Sequence, residues 1–210
     1  MNIMFLTITI ALGLGLLSIF TQKYKKIGWI LFLVNASWQV YAVIELYFMK
    51  GKTETLTIAQ NFLGFGPLKL VLKNSYLGFL FIGGSILITF LFAIYSFSYN
   101  DKKHATKIPG LWILLMGANF GLFLSADWIS FLLSWELMGW TSYFIISHGK
   151  EKSAKAGLYY YILSLIGAST LLAFIAIAMN GSGSLMIADG IKYFAGLWSS
   201  NPGLVLTGAI

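Results

Sequence analysis

Asp127-Trp-Ile-Ser-Phe-Leu-Leu-Ser-Trp-Glu136-Leu-Met-Gly-Trp-Thr-Ser-Tyr-Phe-Ile-Ile-Ser147 decides the fold class of this chain. The stretch is apolar enough to cross a bilayer, and it carries one carboxylate near its middle. At about 1.5 Å of rise per residue, Glu136 lies roughly 13–14 Å from Asp127. A hydrocarbon core is about 30 Å thick, so Glu136 falls close to the bilayer midplane. A charge there costs on the order of 2.5–3.5 kcal/mol on insertion scales. Either a partner offsets that cost or the group is held protonated, and both answers point to proton or ion handling.

The rest of the composition agrees with a membrane environment. Hydrophobic residues make up 58% of the 210, and only 10% are charged, against about 25% in soluble domains. Mean hydropathy is +0.81. With no cysteine, the chain has no thiolate ligands for an iron–sulfur cluster or a zinc site. Both histidines, His104 and His148, fall in polar loops, which argues against a bis-histidine haem. No cofactor and no metal site is therefore expected. The net charge of +7 comes from 14 lysines and no arginine, and in a membrane protein it reports topology rather than nucleic-acid binding. Met1-Asn-Ile-Met4 has no basic n-region, and no cleavage site of small residues follows.

Outward from the decisive stretch, the pattern predicts an all-α polytopic membrane protein forming a single transmembrane domain. Six spans are expected, at about 3–20, 27–49, 76–99, 111–125, 127–147 and 156–179. The connector before the third span ends in Pro67-Leu-Lys-Leu-Val-Leu-Lys73, whose partial alternation suits a short strand or hairpin at the surface. Asn100 to Gly110 reads as a loop with breakers, and Asp127 is placed to cap the fifth span. Asn180-Gly-Ser-Gly-Ser184 reads as a flexible connector. Residues 185–198 have the spacing of a short amphipathic helix lying on the membrane. Asn201 and Pro202 then look like the start of a seventh helix, with only 202–210 remaining. That short remainder suggests one piece of a split or truncated protein, or a helix continued by a partner subunit. Lysines cluster after spans one, three and five (Lys23, Lys25, Lys26; Lys102, Lys103, Lys107; Lys150, Lys152, Lys155), which places the N-terminus outside a multi-pass inner or plasma membrane protein.

Leu122 to Ile146 resembles the fourth-to-fifth helix signature of the antiporter-like subunits found in respiratory complex I, membrane-bound hydrogenases and Mrp-type sodium/proton antiporters. Trp135-Glu136-Leu-Met-Gly139 is its most specific part. Ala156-Gly-Leu-Tyr-Tyr-Tyr-Ile-Leu-Ser-Leu-Ile-Gly-Ala-Ser169 resembles the next family helix, and Gly181 to Gly190 the connector after it. The resemblance runs over most of this chain but less than half of a full member. It implies a place among other membrane subunits, with lipid around it and any redox reaction housed elsewhere. It also implies that Glu136 pairs with a lysine on the family's seventh helix, which this chain does not supply. Two further departures are visible. Many members carry a lysine near the position of Tyr159, where this chain has Lys155 one turn earlier. Where members often have a Leu-Asp pair, this chain reads Leu72-Lys73.

Glu136 is thus the principal candidate for proton or sodium translocation, set against a purely structural carboxylate in a buried pair. Ser134 and Thr141 on the fifth span and Ser164 on the sixth are candidate lining for a hydrated path; helices in membranes also use such residues to bond to one another. Lys155 is a candidate partner for Glu136 or the next charge in a relay, or else a snorkelling lysine. His148 is a candidate relay at the inner mouth, or a solvated loop histidine. Asn35 and Asn119 either join such a path or bond between helices. The competing account of the whole chain is a structural membrane subunit with no ion path of its own. The residues do not distinguish H⁺ from Na⁺.

Overall fold

The computed structural model describes residues 2–21, 23–49, 51–60, 68–99, 108–148 and 151–200. The expected seventh helix at 202–210, with Asn201 and Pro202, lies outside them, as do Lys102, Lys103, His104, Lys107 and Lys150. The elements run α1 (Ile3–Phe20), α2 (Lys25–Phe48), β1 (Thr53–Ala59), β2 (Leu68–Lys73), α3 (Tyr76–Tyr99), α4 (Ile108–Leu124), α5 (Trp128–Ser147), α6 (Glu151–Ser182) and α7 (Ile187–Ser200). The chain is mostly helical. Among the described residues, α1, α2, α3, α5 and α6 are long and apolar enough to cross a membrane.

Helix α4 is shorter, about 25 Å at the usual rise, and it is the centre of the bundle, packed by α1, α2, α3 and α5. Small residues let its neighbours approach. A methyl group on Gly117 would sit 2.6 Å from Ala11 Cβ, and one on Gly121 would sit 2.5 Å from Ser134 Oγ. The helix starts at Ile108 rather than at Leu111, so Ile108-Pro-Gly110 is its first turn and not a loop. Proline is tolerated there because the first-turn N–H groups have no intrahelical acceptor.

The strand or hairpin suggested by the alternation of 67–73 is present, the one described departure from an all-helical chain. Strands β1 and β2 pair antiparallel from Thr53–Lys73 to Ala59–Leu68, with an irregularity between Thr57 and Ala59. Strand β1 is mostly exposed, but β2 is not the surface feature expected. Leu68, Val71 and Leu72 are buried, and Leu72 packs in one core with Ile3, Met4, Leu46, Phe120 and Leu124. The hairpin's polar side chains close helix ends. Glu54, 3% exposed, accepts from the N–H groups of Met4 (3.0 Å) and Phe5 (3.4 Å) at the start of α1. Those donors have no partner within the helix, and a carboxylate suits the positive end of its dipole. Asn74 donates to the carbonyls of Leu46 (2.6 Å) and Met49 (3.1 Å) at the end of α2.

Helix α6 is longer at both ends than the sequence suggests. It begins at Glu151 rather than Ala156, and it runs through Ser182 rather than ending at Met179. Most of the expected flexible connector is therefore helix. Gly183, at φ +66°, supplies the left-handed residue that stops it, and its N–H still bonds to Met179 O at 2.9 Å. Ser184 then accepts from Met186 N–H (3.1 Å) and donates to Asp189 (2.8 Å), turning the chain into α7. One face of α7 packs Ile187 and Phe194 against Trp128, Ile175 and Ala178, while Ile191, Leu197 and Trp198 stay exposed.

Candidate ion site on helix α5

The position of α5 is set at its start. Asp127 is fully buried and caps the helix: Oδ1 accepts from Ile129 N–H (3.0 Å) and Ser130 N–H (2.8 Å). Its Oδ2 accepts from Val71 N–H at 2.6 Å and from the Ser130 hydroxyl. The neighbouring backbone is stitched on both sides. Ala126 N–H donates to Val71 O (2.8 Å), Ile187 N–H to Ala126 O (3.0 Å), and Trp128 N–H to Leu185 O (3.0 Å). The α4–α5 joint thus holds the hairpin on one side and the α6–α7 joint on the other. Asp127 is the helix cap that the sequence predicts, and it is also the pin between three elements.

Glu136 lies eight residues into α5, about 12 Å from the pinned end and about 16 Å from Ser147. It is partly buried, and among the described residues none hydrogen-bonds or ion-pairs with it.

Helix geometry sorts the other candidates by face. Ser134 and Thr141 lie about 160° and 140° around α5 from Glu136, at ~100° per residue. They face α4: Ser134 lies against Gly121, and Thr141, 2% exposed, bonds within its own helix to Leu137 O (2.8 Å) and Met138 O (3.0 Å). Ser164 is on the Glu136 side, because a methyl group on Gly139, one turn from Glu136, would meet Ser164 Oγ at 3.2 Å. Ser169 and Thr170 bond back to carbonyls of α6, and Asn119 bonds to Ser85 on α3 at 2.8 Å.

The α5–α6 register fixes Lys155. Gly157 lies against Ser147 and Gly139 against Ser164, so the level of Glu136 on α6 falls near Gly167 and Ala168. Lys155 is about twelve residues away, roughly 18 Å along the axis, at the mouth of the helix pair and already one turn inside α6. His148 sits at the same mouth as the C-cap of α5, with its N–H on Ile145 O at 3.3 Å. His148 Nε2 and Ser147 Oγ are buried with no partner among the described residues, and both residues line a cavity of about 340 Å³ with Ile19, Leu111 and Phe144.

Between this mouth and Glu136 stands a group that the sequence reading did not single out. Trp140 and Tyr143, one and two turns from Glu136, pack on Tyr161 of α6 with ring centroids 4.8 and 5.3 Å apart. Spacing at i+4 and i+7 from Glu136 was the available signal. Beside them Leu133, Tyr159, Leu163 and Ile166 are exposed, so the part of the α5–α6 pair flanking Glu136 has no cover within the described residues.

A family model described as NADH:quinone oxidoreductase/Mrp antiporter, TM matches residues 125–210. Solved structures share the fold. One is a chain of the membrane-bound sulfane sulfur reductase, an archaeal respiratory membrane complex, at 20% identity and a TM-score of 0.72, with 90% of this chain and 39% of that one covered. Another is a chain of the Mrp complex from Dietzia sp. DQ12-45-1b, at 19% identity and a TM-score of 0.77, with 96% and 22% covered. The chain therefore spans less than half the length of either. No curated protein matches it in sequence.

Proposed function

Because residues 125–210 belong to the antiporter-like membrane family of NADH:quinone oxidoreductases and Mrp antiporters, we propose that this chain is a subunit of an ion-translocating membrane complex in which Glu136 binds and releases the ion. The observation that carries the reading is the carboxylate itself: near mid-depth on a helix pinned at one end, and unpartnered among the described residues. A basic group from a neighbouring subunit or helix completes the site. At 4 Å and an effective dielectric of about 20, such a pair is worth roughly 4 kcal/mol, enough to decide whether the carboxylate holds or releases a proton. Ser164 and the Trp140–Tyr143–Tyr161 cluster line the approach from the mouth that holds His148 and Lys155.

In this reading the chain is one transmembrane domain with six spans, α4 being the sixth despite its length. Packing on several sides gives α4 little contact with lipid, so it need not match the full hydrocarbon thickness. The hairpin faces outside and the lysine-bearing ends of α1, α3 and α5 face inside. The test is proton and sodium flux through the assembled complex in membrane vesicles. Glu136→Gln is expected to abolish coupled flux while the complex still assembles, and Glu136→Asp to retain part of it. Unchanged flux in Glu136→Gln would make the chain a structural subunit.

A further inference from the structure

We propose that Asn35 and Gln39 of α2 hold a small cluster of water molecules at mid-membrane between α1, α2 and α4, a neutral hydrated site separate from Glu136. Both side chains are fully buried, one turn apart on one face of α2. Asn35 is about 15 Å from the Lys25 end of the helix, and Gln39 about 13–14 Å from the Phe48 end, so both lie at the depth of the bilayer centre.

Three of their polar atoms, Asn35 Oδ1, Gln39 Oε1 and Gln39 Nε2, have no hydrogen-bond partner among the described residues. Asn35 Nδ2 reaches Met116 Sδ at 3.9 Å, a weak acceptor. The buried hydroxyl of Thr7 on α1 is already committed, donating to Ile3 O (2.8 Å) and accepting from Trp38 Nε1 (3.2 Å). Amide groups left bare in an apolar interior are strongly disfavoured. The two side chains do not bond to each other in the structure, and even a reciprocal amide pair would leave the second N–H of Gln39 without an acceptor. Water supplies both donors and acceptors and is what such buried groups retain. A cation does not fit: among the described residues no carboxylate bonds to either amide, and Glu54 is engaged at the start of α1. The site stands apart from α5. Asn35 meets α4 through Met116, whereas α5 meets it through Gly121, and Glu136 points away from α4.

The test is a structure of the assembled complex at a resolution that shows ordered water. Solvent peaks within hydrogen-bond reach of Gln39 and Asn35 Oδ1 are expected. Both amides fully paired with protein atoms and no peak, or a peak with the coordination of a metal ion, would overturn the proposal. Leucine variants add a second arm. Gln39→Leu alone is expected to lower Tm, because Asn35 loses its shared water, and Asn35→Leu/Gln39→Leu to recover part of that loss, with ion flux within about twofold of wild type. Additive losses in the double variant would refute a shared cluster, and a collapse of flux would refute its separation from the Glu136 path.

Discussion

The carboxylates at the hairpin end of the molecule and the one halfway along α5 are treated in opposite ways. Asp127 and Glu54 are each almost wholly buried, and each accepts from backbone N–H groups at a helix start. Such acids hold structure: local donors occupy both oxygens of Asp127 and one oxygen of Glu54. Glu136 is more accessible, sits within a helix where every backbone donor is already spent, and has no partner among the described residues. The difference teaches that burial alone does not separate these acids; the presence or absence of a local donor set does.

Mutations at the two places should therefore divide between stability and transport. The largest stability loss is expected from Asp127→Ala, which frees the start of α5 and leaves Val71 N–H bare; a loss of about 3 kcal/mol should appear in thermal or denaturant unfolding of the purified complex. Glu54→Gln keeps an acceptor at α1 but removes the charge, and should cost about 1 kcal/mol in the same assay. Glu136→Gln should change stability by less than about 0.5 kcal/mol; a loss as large as that of Asp127→Ala would put Glu136 in the structural class. The smallest effects on flux should come from Ser134→Ala and Thr141→Ala, which face α4, while Ser164→Ala should slow flux measurably. The reverse ranking would move the path to the α4 side of α5.

Much of this contrast was legible in the residues. The bounds of α1 and α3, the capping role of Asp127 and the mid-depth position of Glu136 follow from hydropathy, helix rise and cap chemistry. The opposed faces of Ser134 and Glu136 were equally legible, since two residues of helix turn a side chain almost to the other side. Glu54 and Asn74 were not, because each closes a helix end far away in the chain, and local pattern carries no information about such partners. The 18 Å offset of Lys155 depends on the α5–α6 register, which Gly157, Ser147, Gly139 and Ser164 fix only once the two helices are packed. The start of α6 at Glu151 was obscured because charged residues between two apolar runs look like loop whether or not they are helical.

The central claim is that Glu136 answers to a positive group brought from outside the described residues. The most direct measurement is the distance, in a structure of the assembled complex, from its carboxylate oxygens to the nearest basic nitrogen. The account predicts a lysine, arginine or histidine nitrogen within about 4 Å, or joined to the carboxylate by ordered water. A Glu136 side chain against lipid tails, with neither a basic group nor water in reach, would contradict it.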